Sequence, residues 1–208
     1  MIGAGQCRTV AQVRCRPHLG SYTSEPIRDR RDISAIKGHL ADKPRDYALF
    51  VVGIHTGLRG SDLLALRWRD VLTDESRVVD RLRVTESKTS KLRVIALQEY
   101  AKRALESLLR AVGPIDPNVY VFRSREGDGR LTTDRLRQLI VDWTRAAGLN
   151  GHFGVRTLRK TFGYHLRKAG ADPALLMKIF GHSCQAITMR YIGVDQDETE
   201  EVSLRLSL

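Results

Sequence analysis

The 208-residue chain is poor in cysteine, poor in aromatic residues and without a long apolar run. Its three cysteines, Cys7, Cys15 and Cys184, form no CxxC pair and no paired framework, which argues against a small secreted disulfide scaffold. No run approaches the roughly 20 apolar residues that a membrane-spanning helix needs, so an integral membrane protein is excluded. Aromatics make up 6% and are dispersed, which gives no stacking platform for single-stranded nucleic acid. HExxH is missing, and a metal nuclease fits poorly. Gly57 and Gly60 flank Arg59 but make no GxxxxGK[ST] phosphate loop.

What the chain has is positive charge. Lys and Arg number 35 against 24 Asp and Glu, a formal net charge of +11. A chain this basic attracts polyanions, and nucleic acid is the commonest.

Three stretches follow from the composition. Residues 1–24 hold no acidic residue and carry Arg8, Arg14 and Arg16 without periodicity, which reads as a flexible basic arm. Residues 25–194 read as one folded unit, mainly α with a small antiparallel β-sheet. Asp32 and Ser34 are candidate caps of a helix running to Leu40. Pro44 opens a second helix that Gly57 stops, and Ser61 is a candidate cap for a third. Val78 to Leu97 reads as a hairpin whose polar tip is Glu86 to Lys91. Helices follow over 98–112, 133–147 and 155–169, with a short strand at 119–122. Asp172 and Pro173 start a helix that ends at Gly181, and Ser183 starts a last one through Ile192. Residues 195–208 form a tail whose end, Val202 to Leu208, alternates as a strand with one buried face does. A frayed terminus and a docking strand are equally good readings of it.

Three segments carry the chemistry: Thr56-Gly57-Leu58-Arg59-Gly60-Ser61-Asp62, Thr157-Leu158-Arg159-Lys160-Thr161-Phe162, and Phe180-Gly181-His182-Ser183 with Tyr191 nine residues after the histidine. Between the first two lies Glu86-Ser87-Lys88-Thr89-Ser90-Lys91. In this order and spacing they resemble the catalytic domain of the tyrosine recombinases, the phage integrase family. Breaking a DNA phosphodiester needs a nucleophile, charge stabilisation on the non-bridging oxygens and a proton for the leaving oxygen. An arginine fork stays charged and holds two phosphate oxygens at once. The resemblance assigns that clamp to Arg59 and Arg159. It makes Lys88, a better match than Lys91, the donor of the proton to the 5′ oxygen. It makes Tyr191 the nucleophile, with His182 at the phosphate or the tyrosine, and lets Asp62 brace the fold near Arg59. A lone tyrosine is more often a core or rim residue; the histidine nine residues earlier reverses that preference.

Two departures from the family stand out. Three residues before Arg159 the family has histidine, sometimes lysine, where this chain has Arg156. Arginine stays protonated and cannot act as a base, but it can donate to the phosphate. Arg156 is thus expected as a third clamp, with proton removal left to His182 or water; an impaired site is the alternative. His152 precedes the helix, and His165 falls on a different helix face. The family also carries an N-terminal helical domain that closes around DNA, and about 24 residues are too few for it. The resemblance therefore implies a site-specific DNA recombinase without metal, ATP or other cofactor, acting on double-stranded DNA. It would pair on DNA, assemble to a tetrameric synapse and work in the cytoplasm at the nucleoid. The alternatives are a catalytically impaired DNA-binding accessory relative and a type IB topoisomerase-like relaxer.

Overall fold

The computed structural model describes residues 24–124, 127 and 129–194. The basic arm up to residue 23 and the tail from residue 195 lie outside them, so the expected docking strand is not among the described residues. The most apolar segment of the sequence, after Tyr47, becomes the central helix α2 (Pro44–Thr56), with Ala48 to Ile54 all buried. Pro44 sits in its first turn, where a missing N–H costs nothing. Ahead of it runs α1 (Arg30–His39). Behind it come two short helices, α3 (Gly60–Leu64) and α4 (Trp68–Val71).

The hairpin follows, β1 (Arg81–Thr85) antiparallel to β2 (Leu92–Ala96), with Arg81 opposite Ala96 and Thr85 opposite Leu92. Leu82, Val84 and Ile95 are its buried side chains. Then come α5 (Glu99–Val112), α6 (Thr133–Ala146), α7 (Val155–Lys168), α8 (Pro173–Phe180) and α9 (Gln185–Ile192). No helix among the described residues is long and apolar enough to cross a membrane.

Two apolar clusters form around these elements. The larger joins α2 to α5, α6, the hairpin and the inner side of α7 through Leu158. The smaller gathers Tyr164, Leu176, Phe180, Met189, Ile192 and Val194 under α8 and α9. Gly163 permits the second cluster to close: a Cβ there would lie 2.6 Å from both the Phe180 ring and the Ile192 side chain. Helix α7 belongs to both clusters, so it sets where the second sits against the first.

Residues 24–29 run extended along this junction. Ile27 is 1% exposed; its N–H donates to Thr161 Oγ1 at 2.9 Å, and its carbonyl accepts from His165 Nε2 at 3.0 Å. Glu25 N–H donates to the His152 carbonyl at 2.7 Å, and Arg28 donates to the Gly193 carbonyl at 3.3 Å. This docking fixes where α1 begins. Asp29, not Asp32 or Ser34, caps it by accepting from Arg31 N–H at 2.7 Å.

Other boundaries shift for similar reasons. Helix α3 has Arg59 at its N-cap and takes Ser61 inside. The last helix starts at Gln185 behind Cys184. The stretch 119–122 makes only a bridge, Tyr120 to Arg67, because the chain there crosses the start of α4 instead of joining the sheet.

Candidate active site

Helix α2 ends on Gly57, whose φ of +58° is left-handed and suits glycine. The last carbonyls of a helix carry partial negative charge. Here they hold two guanidinium groups. Arg159, on α7, donates to Gly57 O at 2.5 Å and to Phe180 O at 3.2 Å. Arg93, on β2, donates to Thr56 O at 3.0 Å and to Gly57 O at 3.4 Å. Arg159 is 5% exposed and lies 4.7 Å over the Phe180 ring. Burial pushes it down to about 10, with Arg59 and Arg93 adding and Tyr191 opposing. It is still charged at neutral pH.

Two residues past Gly57 stands Arg59. Its Nη1 lies 2.7 Å from Glu86 Oε2 and 3.9 Å from Asp62 Oδ2. Both carboxylates are buried. Burial pushes Glu86 up, but the Arg59 charge and the Thr89 hydroxyl at 2.8 Å outweigh that and hold it below its ordinary value. Asp62 does brace the fold beside Arg59, and it also grips the hairpin turn. Its Oδ1 accepts from Ser87 N–H at 3.1 Å and Ser87 Oγ at 2.6 Å. That sets the backbone one residue before Lys88, which is exposed and lines the cavity described below.

On the far side, Gly181 caps α8 in the left-handed region and His182 follows. Its ring stacks on Phe180, 5.6 Å between centroids, and meets the Tyr191 ring edge-on at 5.1 Å. Nδ1 lies 3.0 Å from Thr188 Oγ1. Burial first, then the charges of Arg159 and Arg59, lower the His182 pKa, so the ring is neutral at pH 7. Tyr191, on α9, is raised by burial against the opposing pull of Arg159, Arg156 and Arg59. The Nζ of Lys160, a buried residue, lies 5.2 Å from its ring centroid.

The six residues expected from sequence, Arg59, Lys88, Arg156, Arg159, His182 and Tyr191, all line one cavity of about 540 Å³. Arg156 is exposed on the first turn of α7, one turn before Arg159. Lys91 is not on the wall. Neither is His152, which is held by Glu25, nor His165, which faces Ile27. Among the described residues no carboxylate lines the cavity, while four cationic side chains do. The arrangement is built to receive an anion beside a phenol and a neutral imidazole.

Reading the sequence alone missed Arg93, Glu86, Lys160 and Thr188. Thr188 had the i, i+4 spacing to Cys184 that a back-bonding hydroxyl uses.

The phage integrase family profile matches residues 30–198. The probable integrase/recombinase YoeC of Bacillus subtilis is 38% identical over 176 residues, covering 84% of this chain and 92% of that protein. The tyrosine recombinase XerD of Rickettsia bellii is 29% identical over 157 residues, 72% of this chain. The chain spans about half the length of that relative, 52%. Among solved structures, the XerA recombinase superposes with a TM-score of 0.72 at 23% identity, covering 93% of this chain and 67% of that one. A lambda integrase dimer bound to a core site gives 0.62 at 17% identity, covering 85% and 61%. These two share the fold, and with the profile and YoeC the assignment is made: the chain belongs to the phage integrase family.

Proposed function

We propose that this chain is a site-specific recombinase that cuts and rejoins double-stranded DNA through a 3′-phosphotyrosyl intermediate on Tyr191. The observation that carries the proposal is the convergence of Arg59, Lys88, Arg156, Arg159, His182 and Tyr191 on one cavity wall, with no carboxylate there among the described residues. The phenol oxygen of Tyr191 attacks the phosphorus and the bond to the 5′ oxygen breaks. Arg59, Arg159 and Arg156 hold the non-bridging oxygens as charge builds. Lys88 gives its proton to the leaving 5′ oxygen, and His182 takes the phenol proton. Attack by a 5′ hydroxyl on the phosphotyrosine reverses each transfer, so bond energy is kept and neither metal nor ATP takes part.

The proton step has a cost. At ordinary pKa values, moving a proton from tyrosine to histidine is uphill by about 5 kcal/mol. Transfer therefore accompanies attack, when the phenol oxygen becomes more acidic. Arg156 adds charge where the family has an acid–base group, which leaves His182 as the ring able to take that proton.

The DNA-bound relatives and the net charge of +11 support a DNA partner and, with it, a place at the nucleoid. The chain pairs on DNA and forms a tetramer when two duplexes exchange. Residues 1–24 serve as a basic arm and 195–208 as a tail that docks on a neighbour.

The test is a covalent adduct. The full chain is mixed with nicked suicide duplexes drawn from DNA beside its own gene and run on a denaturing gel, with Tyr191→Phe in parallel. The expected result is a denaturant-resistant band that the variant lacks. Binding without any adduct overturns the proposal in favour of an accessory DNA-binding role. Plasmid relaxation without recombinants points to a relaxing enzyme.

A further inference from the structure

We infer that Thr188 is a positioning residue that fixes the tautomer of His182 and leaves Nε2 as a bare acceptor facing the cavity. The inference rests on the proposed roles of His182 and Tyr191.

Thr188 sits on α9, one turn before Tyr191, and is fully buried. Its hydroxyl has one proton to give. A carbonyl can only accept, and the Cys184 carbonyl lies 3.3 Å from Oγ1. With its proton on that carbonyl, Oγ1 presents a lone pair to His182 Nδ1 at 3.0 Å. Nδ1 therefore carries the hydrogen, and in the neutral ring Nε2 carries none.

The other side of the ring agrees. His182 lines the cavity and Thr188 does not, so the nitrogen away from Thr188 faces the cavity. The cations on that wall include Arg59 and Arg159. A lone pair turned towards guanidinium groups is favourable, whereas an N–H turned towards them is not.

The arrangement fits the departure at Arg156. A chain with arginine there needs its remaining imidazole in the form that can take a proton. When Nε2 accepts the phenol proton, the imidazolium keeps its Nδ1–H on Thr188. The reverse step returns the Nε2 proton to the tyrosine oxygen as the phosphotyrosyl bond breaks.

The experiment has two readouts on the full-length chain. One is ¹⁵N NMR of histidine-labelled protein without DNA, with His182→Gln to assign the ring. Wild type is expected to show a protonated Nδ1. Thr188→Val, which keeps shape and loses the hydroxyl, is expected to lose that preference. Thr188→Ser keeps it. The other readout is single-turnover adduct formation on the suicide duplex. Thr188→Val should slow it roughly ten- to a hundredfold, within the contribution a positioned base makes, and Thr188→Ser should restore most of the rate.

A protonated Nε2 in wild type, or an unchanged tautomer in Thr188→Val, overturns the inference. The expected tautomers with no adduct in wild type overturn the recombinase reading and leave the Thr188 contact standing.

Discussion

Replacing Gly57 with alanine tests how the fold holds Arg159. Gly57 sits at φ +58°, and a Cβ there would lie 2.3 Å from Phe162 Cδ1 and 2.8 Å from Cγ. A residue with a Cβ pays about 1–2 kcal/mol for the left-handed region. The Phe162 ring must also move as a whole, because the clash reaches Cγ. It has somewhere to go, since Phe162 lines a neighbouring cavity of about 470 Å³. Moving there breaks its edge-on contact with Phe180, centroids 6.4 Å apart, which is worth about 0.5–1.5 kcal/mol. The sum is roughly 1.5–3.5 kcal/mol. For a chain of this size it lowers the melting temperature by about 3–14 °C.

Urea unfolding followed by tryptophan fluorescence reads this directly, because Trp68 and Trp143 are both buried. Gly148→Ala is the control. Gly148 has φ +76° with nothing within 4 Å of the added carbon, so it should cost only the backbone share. Gly57→Ala within about 0.5 kcal/mol of wild type, or no worse than Gly148→Ala, would refute the reasoning. The same substitution should slow adduct formation, because the Gly57 carbonyl is the anchor of Arg159.

Arg156→Ala should weaken DNA binding and lower the salt slope, d log K against d log [salt], by about 0.9, one phosphate contact; an unchanged slope in a salt titration removes Arg156 from the clamp. His55 gives a pH prediction. Burial, with a smaller push from the Lys37 charge, lowers its pKa from 6.5 to about 4. Above pH 6.5 it is neutral in both states. As pH falls from 6.5 to 4 the unfolded chain takes a proton that the folded one refuses, so about 3 kcal/mol of stability is lost across that window. His55→Phe should flatten that part of the stability–pH curve, and parallel curves for the two proteins would disprove it.

The hairpin and the helix stops at Gly57 and Gly181 were legible because they depend on local chemistry: period-two alternation, left-handed glycine and proline in a first turn. The site was legible for a different reason, since four segments in order matched a family. What local chemistry could not supply was set by distant contacts. Composition pointed to Asp32 and Ser34 as caps of α1, whereas the segment docked on α7 through Ile27 leads into a helix capped by Asp29. Nothing in the local pattern around Arg93 marks it, yet it reaches two carbonyls at the end of α2 that are 36 and 37 residues away in sequence. The family match favours Lys88 over Lys91, and the turn that Asp62 holds is what carries Lys88 to the cavity wall.

The extended stretch from Ser24 to Asp29 bears on where this domain should be cut. The family profile begins at residue 30, and a chain trimmed to that boundary would lose six residues that sequence comparison treats as outside. Those residues fill a core position with Ile27, occupy Thr161 two residues beyond Arg159, and touch Gly193 two residues beyond Tyr191. A truncation starting at Arg30 would therefore expose the seam between α7 and α9 and loosen the alignment of clamp and nucleophile. Expression boundaries drawn for crystallography or fusion partners belong upstream of Ser24, with any linker placed before it.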